Sequence, residues 1–506
     1  MVAEGLFRLH RARGRSPWLA GGIETHGGRA VYRDRVGPRA LLALVAIAAT
    51  IGVAVGADVA GASRPSGGAA APAGSSADWP VYAHDFSNTR FNPKEHKITA
   101  GSVRRLTPSW SKAGITGVSG TPAVVDRTAY FGDWNGVLWA VKADTGEEVW
   151  HTPVPGGFIV GAPAVAGDAV YIGNGHTLYR LDRATGAVVW SASTNENTIA
   201  QINASPVVVD HFVLQATAGI QDAVPDPTNS FRGSIGAYDT ETGREVWRFY
   251  ATPADATAGS GVGIWSTPAV DRRRGLLYVG TGNTSSEPTA PLADALVAID
   301  YRTGKLKWSK QFTARDVFPK GNPTGKDVDV GASPNLWTSG GRQFVGVGDK
   351  GGVFHALDRR TGRVVWEKSL TPGSFFGGVI GSAASVDGKL VMSSNVGDPK
   401  TNAPGNASKV FALDPATGKV KWTAEQFTGK IFAPVSAVRG VAFVGTDAGV
   451  LAALDTANGK KLWTFNAPDK TACGPSIVDG RVLWGYGFFL FMRGGDGGVI
   501  SFTPGK

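Results

Sequence analysis

Few residues in this 506-residue chain have the type and spacing to do chemistry, and each also has an ordinary structural use. Asp327 and Asp329 flank Val328. Alternate residues of an extended strand share a face, so the two carboxylates point the same way and either anchor a pocket loop or cap it. Arg90, in SNTRF, carries a guanidinium that suits a ligand carboxylate or a structural salt bridge. Trp265, in GIWSTP, offers either a flat floor for a planar ligand or a packing surface between elements. Asn283 in GTGN, Asp316 in ARDVF, Lys350 in GDKGG and Asp222 in AGIQDAV stand in turn or loop contexts.

Other chemistries are excluded. Cys473 is the single cysteine, so an intrachain disulfide, a CxxCH haem attachment and a cysteine-based zinc cluster are all impossible. A lone cysteine is expected to be a small buried apolar residue. The net charge is +10, and the first 39 residues supply +5 of it from eight Arg against Glu4, Glu24 and Asp34. The body carries no basic run or stripe, which argues against nucleic acid as a partner.

The elements that must position these residues are legible from a repeat. The chain holds 70 Gly and 29 Pro, a composition of short strands and many turns. Seven ten-residue segments share one pattern: VKADTGEEVW (141–150), LDRATGAVVW (181–190), YDTETGREVW (238–247), IDYRTGKLKW (299–308), LDRRTGRVVW (357–366), LDPATGKVKW (413–422) and LDTANGKKLW (454–463). Each reads as strand, tight turn, strand, with Gly at a turn position of positive φ and an acidic side chain bonding turn backbone. The closing Trp can pack across neighbouring sheets.

A small residue plus Pro precedes an apolar strand at Thr121-Pro122, Ala162-Pro163, Ser205-Pro206, Thr267-Pro268, Ser333-Pro334, Ala433-Pro434 and Gly474-Pro475, and Ala383-Ala384 holds a further slot without Pro. Pro belongs at strand starts and sheet edges, so these should open the innermost strands of eight blades. The last opening lacks a Trp-ended outer strand, and Leu106–Ser111, with Trp110, supplies it from the other end of the chain. The Trp residues at 110, 150, 190, 247, 308, 366, 422 and 463 are spaced by 40, 40, 57, 61, 58, 56 and 41. A blade of about 40 residues fits a four-stranded propeller unit. The fold class expected is therefore all-β: an eight-bladed β-propeller of four-stranded antiparallel blades over 78–506, its ring closed by N- and C-terminal strands. Such closure removes exposed sheet edges. Extra sequence falls at 215–232, 282–293, 311–331 and 395–408, either as surface loops that tolerate length or as a lid or pocket over one end of the ring axis, and its clustering in consecutive blades favours the second.

Ahead of the propeller, residues 40–57 form an uncharged apolar run of 18 residues, with Arg-rich sequence before it and Ala60-Gly61-Ala62 after it. This implies export, through a signal peptide cleaved after Ala62 or a retained membrane anchor of just spanning length. Residues 1–62 form this module, and 63–77 (SRPSGGAAAPAGSSA) a flexible linker.

The repeat LDxxTGxxxW resembles the pyrroloquinoline quinone (PQQ) repeat of quinoprotein alcohol dehydrogenases. The opening segment DWPVYAHDFSNTRFNP (78–93) is similar to that family's start. SFRGSIGAYDTETG (230–243), GVGIWSTPAVD (261–271), YVGTGN (278–283), ADALVAIDYRTGKLKW (293–308), DVDVGASP (327–334) and VGDKGGVFHALD (347–358) follow in an order that resembles the polyvinyl-alcohol-dehydrogenase branch.

This resemblance implies an exported enzyme that oxidises an alcohol with PQQ and calcium and passes electrons to a separate acceptor such as a cytochrome. Because scaffold propellers share the repeat, it also admits a cofactor-free binding module at the cell surface. On the catalytic reading, Asn283 and Asp316 match calcium ligands, Asp316 also matches the catalytic base, and Lys350 matches the cation at the quinone oxygens. Trp265 is the candidate floor, Arg90 the candidate carboxylate partner, and Asp222 stands where the third-blade loop should bring an acidic calcium ligand. Three departures are plain: Phe318 stands where relatives usually have Trp, Ile380 where they often have Trp, and the adjacent-Cys disulfide that some relatives place against PQQ is absent.

Overall fold

The structure is a computed structural model that describes residues 78–220, 226, 228–253, 258–318, 326–398, 400–487 and 496–505. Residues 1–62 and 63–77, expected to form an export module and a linker, and Asp222 lie outside the described residues. Eight antiparallel sheets follow one another in chain order, each built on four strands running from an innermost three- to five-residue strand to an outermost Trp-bearing one. The eighth sheet is composite: Leu106–Ile115 pairs with Gly497–Pro504, which pairs with Arg481–Tyr486 and then Ser476–Val478. The ring thus closes as the Trp count predicts. Two sheets carry a fifth, two-residue strand, Ala200–Gln201 and Phe427–Thr428. In both blades insertions prolong a hairpin strand past the blade, and the flanking chain covers the edge so exposed.

The repeat motif has two mechanical jobs. Within the turn, the Asp carboxylate accepts from both the backbone N–H and the hydroxyl of the Thr three residues on, as in Asp182–Thr185 (2.8 and 2.7 Å) and Asp358–Thr361 (3.0 and 2.9 Å). These bonds hold the Asp182 and Asp358 carboxyls below the usual range. The Gly that follows sits at φ near +70°, and the Trp of the preceding blade lies against it. A Cβ at Gly146, Gly186, Gly243, Gly304, Gly362, Gly418 or Gly459 would come within 2.5–2.7 Å of that ring. Most of these Trp residues also donate their indole N–H to a carbonyl of the next blade, for example Trp110 to Ala143 (3.0 Å) and Trp247 to Tyr301 (3.0 Å). At the closure Trp463 meets no such hairpin and donates instead to Leu106 O (2.9 Å). Gly and Trp at a fixed spacing are therefore one inter-blade joint written in two places.

The segment 78–92 makes a circuit of the inner rim. Trp79 bridges to Val124 of the first blade; Val165, Val270, Leu336, Ser385 and Ala437 then donate their N–H groups to the carbonyls of Pro80, Phe86, Ser87, Thr89 and Arg90. The Asn92 amide donates to Ile477 O in the eighth blade (2.8 Å). Each partner is the second residue of an innermost strand, so this segment satisfies rim backbone that would otherwise face the axis unpaired.

Candidate functional site

Above this circuit lies a cavity of about 310 Å³, lined by the residues that precede the innermost strands. Its rim is held by a hydroxyl belt: the N–H groups of Ala162, Ser205, Thr267 and Ser333 donate to the hydroxyls of Ser205, Thr267, Ser333 and Ser382 on the next blade, at 2.8–3.1 Å. Tyr82 reaches the cavity from the circuit segment and pairs with Ser382 Oγ (2.8 Å).

Lys350, Asn283, Trp265 and Asp329 line this one cavity. Lys350 is carried by a hairpin turn that His355 stiffens, its ring bridging Asp349 Oδ2 (2.8 Å) and Glu367 Oε1 (2.7 Å). The Lys350 ammonium donates to both oxygens of Asp327 (2.8 Å each) and lies 2.6 Å from Asp329 Oδ2. The alternation of 327 and 329 does put both carboxylates on one side, and what they grip is Lys350. The ammonium stands 5.7 Å from the centre of the Trp265 ring. That ring lies flush against Gly331, where a Cβ would fall 1.7 Å from it. Only glycine lets the indole lie there.

Asn283 is fixed by Asp329, whose Oδ1 accepts its backbone N–H (2.6 Å), and by the carbonyls of Thr284 and Phe318, which take its Nδ2. Its Oδ1 is the amide atom left for a ligand. Phe318, the departure noted above, thus orients Asn283 through its backbone while its ring stacks on Phe375. Asp316 is buried in the wall rather than lining the cavity. Its Oδ2 accepts from Val328 N–H (2.8 Å), and its Oδ1 has no partner. Burial, offset in part by the Val328 N–H and reinforced by Asp329, pushes its carboxyl up to about 7.

Arg90 is elsewhere. Its guanidinium is wholly buried at the centre of the circuit segment, donating to the carbonyls of Val435 and Tyr82 and to the hydroxyls of Thr121 and Ser436. It lies outside the cavity lining, and burial lowers its pKa to about 10. Sequence reasoning also passed over Asp294, which sits in ADALVAID just before the strand Ala295–Asp300, buried in all but its last residue. Its side chain is 0 % exposed and neither carboxylate oxygen has a partner. Burial first, then Asp316 and Asp329, drive its carboxyl well above the usual range. An acidic residue opening an otherwise apolar strand was the available signal. Equally unforeseen is an aromatic side to the cavity, where Trp134 stacks on Phe158 (5.2 Å, 18°) and Phe376 meets Phe432 edge-on. Ile380 lines the same cavity. Cys473 is buried, and its thiol donates to Gly120 O (3.3 Å).

A flat quinone with a hard cation fits the Lys350 end. An ammonium, an indole face, an amide oxygen and a carboxylate with a vacant lone pair gather there, and oxygen donors of this kind suit calcium. Elsewhere the described lining offers hydroxyl, amide and backbone groups, with Lys350 its one cationic side chain.

Two family models match the chain. That of the glucose/ethanol/alcohol dehydrogenase β-propeller domain covers residues 191–373, and that of the outer membrane protein assembly factor BamB covers 95–230 and 406–505. Polyvinylalcohol dehydrogenase of a Pseudomonas species is 29% identical over 456 residues, covering 81% of this chain and 71% of that protein. Quinohemoprotein alcohol dehydrogenase of Comamonas testosteroni is 26% identical over 553 residues, covering 84% and 76%. The solved structure of the Comamonas enzyme superposes with a TM-score of 0.70 at 24% identity over 84% of this chain and 80% of that one. BamB from Moraxella catarrhalis superposes with a TM-score of 0.55 at 15% identity over 79% of this chain and 99% of that one. The repeat, the order of its motifs and these relatives agree: the chain is similar to PQQ-dependent quinoprotein alcohol dehydrogenases.

Proposed function

We propose that this protein is an exported, PQQ- and calcium-dependent oxidoreductase that oxidises an alcohol and delivers the electrons to a separate acceptor such as a cytochrome. The observation that carries the reading is the meeting of Lys350, Trp265 and Asn283 on one cavity, with the Asp316 carboxylate in its wall holding an unpartnered oxygen. The polyvinylalcohol dehydrogenases among its relatives support a secondary or polymeric alcohol as substrate.

When bound, the quinone supplies the hydride acceptor and calcium the Lewis acid that polarises it. The chain does the rest. Trp265, seated by Gly331, orients a planar ring. Lys350, fixed by Asp327 and Asp329, presents a positive charge where negative charge develops on an oxygen. The Asp316 carboxylate, whose Oδ1 has no partner in the protein, would take the hydroxyl proton of the alcohol beside the cation. The aromatic side of the cavity excludes water from that transfer.

A second reading, a cofactor-free scaffold, draws on the BamB likeness and on the scarcity of cationic groups in the described lining. The two separate in one experiment. PQQ with calcium added to the full-length protein should raise its melting temperature, because a ligand of the native state stabilises it, and should permit dye reduction with secondary alcohols. An unchanged melting temperature at saturating PQQ and calcium would favour the scaffold.

A further inference from the structure

We infer that Asp294 is a second carboxylate ligand of the cation site, joining Asp316 and the amide oxygen of Asn283. The inference rests on the cation reading above and adds a residue to it. Three carboxylate oxygens in this part of the wall, both of Asp294 and Oδ1 of Asp316, are buried without any hydrogen-bond partner. An isolated buried carboxylate is among the costliest groups a fold can hold unless a cation or hydrogen bonds compensate it. Here the two carboxyls repel each other, with Lys350 already committed to Asp327 and Asp329. A divalent cation between them would relieve all three oxygens together, and no direct bond within the described residues does so.

The backbone brackets Asp294 between the other two ligands. Its N–H donates to Gly282 O (3.1 Å), one residue from Asn283. Its own carbonyl accepts from Phe312 N–H (2.9 Å), where the outer strand returns towards Asp316. Asp294 adopts φ 50°, a left-handed conformation that aspartate tolerates better than most residues, at the point where the chain turns into the buried strand. Among the described residues no third His, Cys, Asp or Glu joins the pair. Amide and backbone carbonyl oxygens must complete the sphere, which is a calcium preference rather than a zinc one.

The test is calcium binding, not turnover. Calcium chloride is titrated into the full-length protein by calorimetry, with and without PQQ, and melting temperatures are taken in EDTA and in calcium. Wild type should gain stability with calcium. Asp294→Asn should weaken calcium at least about tenfold and lose that gain, yet melt in EDTA no lower than wild type, because the substitution removes an uncompensated charge. Should that variant fail to fold, Asp294→Ser serves with the same expectation for calcium. If Asp294→Asn binds calcium as wild type does while Asn283→Ala does not, Asp294 is no ligand and the cation reading survives. If wild type itself binds no calcium with PQQ present, both fall.

Discussion

Asp316→Asn removes one charge and little else, and the structure gives its size. The Asp316 carboxyl is raised from 3.8 to about 7, chiefly by burial. Each pH unit corresponds to about 1.4 kcal/mol, so holding this group ionised in the cation-free fold costs about 4 kcal/mol. The amide keeps the one bond that matters locally, since its oxygen can still accept from Val328 N–H. Burying an NH₂ group in place of the free oxygen returns about 1–2 kcal/mol of that relief. The sign follows from proton linkage. A native carboxyl with a raised pKa keeps a proton that the unfolded chain has released, so the contribution of Asp316 to wild-type stability falls as pH rises from about 4 to about 7 and is flat above. The variant lacks this slope. In EDTA, urea unfolding should find the variant about 1–2 kcal/mol less stable than wild type at pH 4 and about 2–3 kcal/mol more stable at pH 8. Turnover should be abolished while PQQ affinity stays within a few-fold, because Trp265 and Lys350 are untouched. A variant whose stability parallels wild type across this range would refute the burial argument, and retained turnover would remove Asp316 as the base.

Three further outcomes are expected. Gly331→Ala drives a Cβ into the Trp265 ring, so the indole must leave its seat; PQQ affinity measured by fluorescence titration should fall at least about tenfold with the fold intact. Gly304→Ala combines a residue at φ 70° with a Cβ 2.7 Å from Trp247, and chemical denaturation should find it destabilised by about 2–4 kcal/mol. Arg90→Met strips four buried oxygens of their donor and should cost about 4 kcal/mol or more in the same assay. Per folded molecule its PQQ affinity should be unchanged, since Arg90 is outside the cavity; a selective loss of affinity would restore Arg90 as a cofactor ligand.

The ring was legible because its joints are local and periodic. The Asp–Thr clasp spans three residues, the Gly and Trp recur at fixed spacing, and each small-Pro step opens a strand, so counting them yields eight blades and a composite last one. The convergence of Lys350, Trp265 and Asn283 was legible through motif order, which fixes the blade and rim position of each residue in a ring of known count.

What the sequence alone determined, then, is everything that repeats: blade number, closure and the rim positions that carry the motifs. The tertiary structure alone decided which charges find partners. Arg90 and Lys350 are both cations beside glycines or aromatics in sequence, yet one is enclosed by carbonyls at the axis and the other by two aspartates at the cavity. Asp294 and Asp300 bound the same short strand, yet one is buried without a partner and the other is held below the usual carboxylate range by its turn and Lys307. Partnership depends on segments far apart in the chain meeting at one point, and desolvation depends on everything packed around that point; neither is written in local order.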